Sequence, residues 1–219
     1  MVSDVIYNLT TWVMPLLLCV IIHEVAHGYV AMKLGDYTAK AMGRLNLNPK
    51  DHIDPIGSLL VPGILFLTNS PVLFGWAKPV PVDYRNLHRP KRDMGLVAAA
   101  GPVANILLAV VFVLFSHVIN LFPDTPMKAW AFENLSHGVQ FSLILAIFNL
   151  LPILPLDGGR ILSSLLPLKY SIKYQKTENY GFYILIGLLF IAPLLGINII
   201  GWFINTLYPL FLSLIGIFM

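Results

Sequence analysis

Six apolar stretches divide this chain of 219 residues: Val5 to Met32, Ile56 to Asn69, Gly95 to Phe122, Val139 to Leu156, Phe182 to Leu195 and Ile199 to Met219. A helix needs about 20 consecutive apolar residues to cross a bilayer. The first and third stretches meet that length with residues to spare, while the second and fifth are short. The fourth is interrupted by Pro152 and Pro155, each of which removes a backbone donor and stops a helix. The pattern predicts an all-α polytopic membrane protein with five to six transmembrane segments. The Ile56 to Asn69 stretch is basic on both flanks and reads as a re-entrant or short hairpin element rather than a crossing. Two segments between helices alternate apolar and polar positions, Gly43 to Leu47 and Ala77 to Val82, and are expected as small β-strands or membrane-surface loops. No tandem repeat is visible and no hydrophilic stretch is long enough for a soluble domain, so a single membrane domain over 1–219 is expected.

Composition supports the membrane reading. Residues are 57% hydrophobic and 11% charged, where a soluble domain has about a quarter charged. The excess of basic residues lies in loops. Lys33, Lys40, Arg44 and Lys50 follow the first stretch; Lys78, Arg85, Arg89, Lys91 and Arg92 form a second cluster; Arg160, Lys169, Lys173 and Lys176 form a third. Residues 1 to 15 carry no Lys or Arg, so no cleavable signal pattern is expected, and Pro123 to Ser136 has only Lys128. This distribution orients a protein in a lipid bilayer and does not build a nucleic-acid surface. The expected topology is multi-pass in the cell membrane, with the N-terminus outside and the three clusters in the cytoplasm. The single cysteine, Cys19, excludes an intrachain disulfide and a Cys-rich metal site.

Against this apolar background one motif stands out: His23-Glu24-Val25-Ala26-His27 within the first stretch. Ionisable residues at membrane depth are costly and mark function. On a helix the two histidines lie on one face and can share one Zn²⁺. Glu24, beside the first of them, can reach a water activated at the metal and act as general base. A catalytic zinc commonly has three protein ligands, and Asp157 is the candidate third. It ends the fourth stretch, after the broken run Asn149 to Pro155, and Gly158 and Gly159 let the chain turn tightly after it. In the expected topology the first and fourth stretches both run inward, so Asp157 arrives at the depth of His23 and His27, in the cytoplasmic half. The alternative is that Asp157 only caps the helix that follows.

These pieces together resemble the site-2 protease family of intramembrane zinc metalloproteases, in its small form without a PDZ or CBS domain. The resemblance runs from about Leu16 to Leu166 and rests on the histidine motif with Gly28, on Gly43 to Pro49, His52 to Gly57, Gly75 to Val82, Ala100 to Asn105 and Asn149 to Arg160. It implies a catalytic core over about 5–166, a C-terminal helical pair over about 180–219, one Zn²⁺ per chain held by His23, His27 and Asp157, Glu24 as base, and transmembrane protein substrates. Asn149 can hydrogen-bond the substrate backbone or a developing oxyanion, or else serve as a structural amide between helices. Asp54 and the polar hairpin residues are candidates for a water path.

Other marked residues carry plainer expectations. Ala98 to Gly101 form a small-residue face that can pack closely on the metal-binding helix, with Asn105 one turn on bonding across the contact. Cys19 is either a further metal ligand or a small buried residue, the latter favoured. His52 is expected to make a structural hydrogen bond, His88 to lie in a loop, and His117 and His137 to sit near the outer surface. Arg160 either orients Asp157 or anchors at the interface. Two other functions fit the same residues: a silent scaffold holding zinc, and a metal transporter with several sites along a path. A scaffold needs no base at Glu24.

Overall fold

The structure, a computed structural model, describes residues 2–68 and 75–216. Among these there are helices and loops but no strand. Helix α1 (Val2–Lys33) is followed by two single-turn helices, α2 (Thr38–Ala41) and α3 (Pro49–His52). A π-helical turn, Pro55–Leu60, runs into α4 (Val61–Leu67); a 3-10 turn, Tyr84–Asn86, precedes α5 (Pro90–Asn120). Then come α6 (Pro126–Asn149), α7 (Asp157–Leu165), α8 (Leu168–Gln175), α9 (Glu178–Ile186), a second π-helical stretch at Gly187–Ile191, α10 (Ala192–Leu194) and α11 (Ile199–Ile215). The expected segment ends at Asn69 and Met219 lie outside the described residues.

Among the described residues two helical runs are long and apolar enough to cross a membrane, Ile6–Lys33 and Pro90–Asn120, or three if the bent pair Leu168–Gln175 and Glu178–Leu194, with 56° between its halves, is one span. The starts of these helices follow local chemistry. Pro90 opens α5, where its missing N–H leaves nothing unsatisfied, and the Asp93 carboxylate accepts the Arg89 N–H at 2.8 Å. Thr125 caps α6 through Lys128 N–H, again with proline first in the helix.

Helices α1, α5 and α6 pack on one another around Cys19, Leu108, Ala109, Phe112, Val113, Val139 and Leu143, joined by Ile215 of α11. Phe112 lies flat against Gly138, where a Cβ would sit 2.6 Å from the ring. In lipid such tight packing and interhelical hydrogen bonds replace the hydrophobic effect as the adhesive. A row of polar contacts runs along the α1–α6 seam. Tyr7 donates to Glu133 (2.6 Å), Trp130 to the Thr10 hydroxyl (3.0 Å) and His137 to the Thr11 carbonyl (2.8 Å), and the Cys19 Sγ meets the Ser142 hydroxyl at 3.1 Å.

Neither segment expected as a strand is one. Gly43 to Leu47 is a turn, with Gly43 at φ +66°. Ala77 to Val82 has no regular structure and forms no ladder, because Pro79 and Pro81 lack donors and the Lys78 and Val80 N–H groups point at separate partners. Lys78 donates to the His52 carbonyl and Val80 to the Glu24 carboxylate. Trp76 N–H meets the Gly57 carbonyl at 3.1 Å and Ser58 donates to the Trp76 carbonyl at 2.9 Å. The chain that leaves along α4 is therefore back at its starting level by Trp76.

Candidate metal centre

Helix α1 carries His23 and His27 one turn apart, and their Nε2 atoms lie 3.1 Å from each other. The Asp157 Oδ2 approaches them at 3.1 and 3.4 Å. Asp157 reaches this place because the chain after α6 folds back on itself. Leu150 to Leu154 runs against the start of α7, so closely that a Cβ on Gly158 would lie 2.2 Å from the Leu150 carbonyl oxygen and one on Gly159 2.6 Å from Leu154 N. The two glycines therefore serve close backbone approach within a helix, not the tight turn expected of them.

All three side chains are largely withdrawn from solvent, yet Asp157 Oδ2 has no hydrogen-bond partner. The His27 Nδ1 lies 2.8 Å from the Val97 carbonyl of α5, an oxygen that can only accept, so Nδ1 carries the proton and Nε2 a lone pair. The His27 lone pair thus points at a carboxylate oxygen, two acceptors facing each other, which costs free energy unless a cation completes the cluster. Spacing agrees: donors about 2.1 Å from a tetrahedral zinc stand about 3.4 Å apart. Residues His23, His27 and Asp157 therefore fit a zinc ion.

The groups around this cluster explain its closeness. Gly101 of α5 faces the imidazoles; a Cβ there would lie 2.5 Å from both His23 Cε1 and His27 Nε2, as the small-residue face on α5 anticipates. Asn105, fully buried, places its Nδ2 3.1 Å from His23 Nδ1. The Glu24 Oε2 accepts the Val80 N–H at 2.9 Å, so the 77–82 segment lies on the candidate base. Neither the Val97 carbonyl nor the Val80 N–H is legible in the sequence, since backbone groups leave no mark in residue identity.

Other candidates lie elsewhere. Asn149, last residue of α6, donates through Nδ2 to the Leu145 carbonyl of its own helix (3.0 Å), which is neither the interhelical bond nor a contact with the cluster. Cys19 is buried against Ser142 and Gly138 and does not join the His23, His27 and Asp157 cluster. Asp54 caps the π-helical turn, its Oδ1 accepting from Ile56 and Gly57 N–H. His52 is buried and pairs with the Asn46 carbonyl at 2.9 Å. Arg160 pairs with Glu178 at 2.7 Å and stacks over the Tyr84 ring at 5.1 Å, tying α7 to α9 and to the loop before α5.

That loop is held from below by Asp36, whose fully buried carboxylate accepts from Thr38, Asn86 and the Asp83 N–H. Burial alone would raise its pKa, but these donors outweigh burial and hold it below the usual carboxylate value. Asp83 beside it is pushed down to about 2 by the hydrogen bonds from Arg85.

Residues 116–192 match the family described as peptidase family M50. The chain is 39% identical over 185 residues, 83% of its length and 80% of the relative's, to the protein named "Putative zinc metalloprotease YwhC" of Bacillus subtilis. It is 30% identical to Rip2 of Mycolicibacterium smegmatis, which carries the same description, over 91% of this chain and 71% of that one. With the zinc metalloprotease MJ0392 of Methanocaldococcus jannaschii it shares 28% identity over 84% of its own length but 43% of the relative's. No solved structure matches the chain. The convergent His, His and Asp donors, the adjacent glutamate and these relatives lead to one conclusion: the chain belongs to peptidase family M50, the site-2 protease family of zinc metalloproteases.

Proposed function

We propose that this metalloprotease cleaves peptide bonds within or next to transmembrane segments of membrane proteins, with one Zn²⁺ per chain held by His23 Nε2, His27 Nε2 and the Asp157 carboxylate. The observation that carries the reading is the approach of these three donors to within 4.8 Å of one another, with Glu24 next along α1. When bound, zinc polarises the scissile carbonyl and lowers the pKa of a water. Glu24 takes the proton of that water. Since its Oε2 is engaged by Val80 N–H, Oε1 is the oxygen that receives the proton and later returns it to the leaving amine. Asn149 has a second N–H and its Oδ1 to offer the substrate backbone. Val80 holds the base in place through its main chain, so the 77–82 segment lies where an extended substrate would pass.

The chain forms one membrane domain in this reading. Helices α1, α5, α6, the α9–α10 run and α11 are its five spans, and the stretch that starts at Ile56 is a re-entrant element rather than a crossing, supported by the hydrogen bond that brings Trp76 back beside Gly57. The N-terminus lies outside and the metal centre in the cytoplasmic half of the cell membrane, in keeping with the basic loops after α1, before α5 and after Asp157.

The test is cleavage of a panel of single-span membrane substrates by purified protein in detergent or liposomes, with zinc content measured in parallel. Wild-type cleavage that disappears in Glu24→Gln, with about one zinc per chain in both, is the expected result. Turnover or transport that persists in Glu24→Gln would overturn the protease assignment of that residue and favour a scaffold or transporter.

A further inference from the structure

The Gly43 to Pro49 piece contributes no side chain to the His23, His27 and Asp157 cluster, yet it is built against the candidate base. Gly43, at φ +66°, lets the chain turn after α2, and the Arg44 N–H closes the turn on the Ala39 carbonyl at 2.9 Å. Leu45 is thereby laid on Gly28, one turn beyond Glu24 on α1. Val80 arrives at the same place, for a Cβ on Gly28 would lie 2.6 Å from a methyl of each. Arg44, next to Leu45, reaches the 77–82 segment, where its Nη2 donates to the Lys78 carbonyl at 3.1 Å and to the Pro79 carbonyl at 3.3 Å. Its Nε is buried without a partner, so the side chain lies here at a cost, and the two carbonyls are what the guanidinium holds.

The Pro79 carbonyl and the Val80 N–H are two ends of one peptide group. That group is planar and trans, so its oxygen and its hydrogen point in opposite directions and cannot turn separately. Arg44 holds the oxygen, and the hydrogen is the one that the Glu24 Oε2 accepts at 2.9 Å. Prolines on both sides stiffen the unit: Pro79 has its φ fixed, and Val80, preceding Pro81, is kept out of the helical region. A charged donor on the carbonyl also polarises the amide and makes its N–H the stronger donor. Resting on the reading of Glu24 as general base, we propose that Arg44 is a positioning residue for Glu24 that acts through the Pro79–Val80 peptide. The guanidinium fixes the peptide plane, the peptide fixes Oε2, and Oε1 is left to take the proton.

The experiment compares wild type, Arg44→Leu, Arg44→Lys and Glu24→Gln as full chains in detergent. It reads kcat and KM on a single-span membrane substrate that the wild type cleaves, and zinc dissociation constants by chelator competition. A third readout is the Val80 amide resonance in protein carrying nitrogen-15 valine, assigned by its absence in Val80→Ile. Arg44→Leu is expected to lower kcat by about 10–100-fold, up to the cost of a misplacement of about 1 Å, with KM and zinc affinity unchanged. Arg44→Lys, which keeps a charged donor, is expected to fall less. The Val80 amide proton should move upfield in Arg44→Leu and in Glu24→Gln alike, since each removes one end of the same line of hydrogen bonds. Where Arg44→Leu loses zinc altogether, Arg44→Gln carries the same comparison with a neutral donor. An arginine that only braced the loop would act on KM, by loosening the segment that borders the substrate's path. A raised KM with kcat unchanged, or a Val80 resonance that stays in place in Arg44→Leu, would overturn the proposal and leave Glu24 standing as base. Turnover that persists in Glu24→Gln would overturn the base reading, so the two failures appear in different variants.

Discussion

The two ends of α1 handle buried polar atoms in opposite ways. Towards its N-terminus, Tyr7, Thr10, Thr11 and Cys19 meet Glu133, Trp130, His137 and Ser142 on α6, each polar group against a complementary one. Towards its C-terminus, His23 and His27 meet Asp157 with Oδ2 unsatisfied, while Asn105 behind them has an orphaned oxygen. Polar groups in lipid are adhesive when paired and expensive when not. The first end is a seam. The second is the candidate site, and its unsatisfied carboxylate oxygen is what a cation would repair.

The comparison can be broken most severely at the cluster. Asp157→Asn keeps the volume but removes the charge, and proteolysis should fall to background. Zinc affinity should drop by at least on the order of 100-fold, more than the loss of an outer hydrogen-bond partner produces. Zinc binding by chelator competition checks this, and wild-type affinity in the variant would remove Asp157 from the ligand set. Glu24→Gln should lower kcat by roughly 10²–10⁴-fold, the range for a lost general base, with zinc content unchanged. Steady-state cleavage beside metal analysis separates the two variants.

How much of this difference is legible in the sequence follows from where the chemistry sits. His23, Glu24 and His27 are visible because side-chain identity and helical spacing carry the whole signal. Asp157 is visible because a carboxylate at the end of a proline-broken apolar run is costly there unless a cation or a donor compensates it. The seam is less so. His137 and Glu133 look like isolated polar residues near the outer surface, since nothing in one helix's sequence names its partner on another. The 77–82 segment misleads most. Its alternation suggests a strand, but a strand needs a ladder, and here prolines remove two donors while Val80 gives its N–H to Glu24. Asn105 is marked by its residue type as an amide bonding across the α1–α5 contact, yet that it faces His23 in particular depends on helix rotation, which residue spacing alone does not determine.

Gly101 sharpens the comparison at intermediate size. Its face of α5 touches both imidazoles, so Gly101→Ala must push α5 away or turn the rings. Overpacking of this kind costs about 1–3 kcal/mol, and because the strain falls on the histidines, zinc affinity should fall with it. Gly187→Ala is the matched control, for a Cβ there meets nothing within 4 Å. Equal zinc affinity in the two variants would mean that the close approach of α5 is packing alone.

The smallest effect lies on the seam and tests the other half of the contrast. Tyr7→Phe deletes the hydroxyl that donates to Glu133 at 2.6 Å and leaves the ring in place. Interhelical hydrogen bonds in membrane proteins average about 0.6 kcal/mol, so the loss should appear as a slight fall in the unfolding midpoint in detergent. Zinc affinity and kcat should not move, because Tyr7 lies more than four helical turns from His23 along α1. If Tyr7→Phe weakened zinc as much as Gly101→Ala, the seam would be coupled to the site, and its polar pairs would have to be read as part of the metal centre's support rather than as glue between helices.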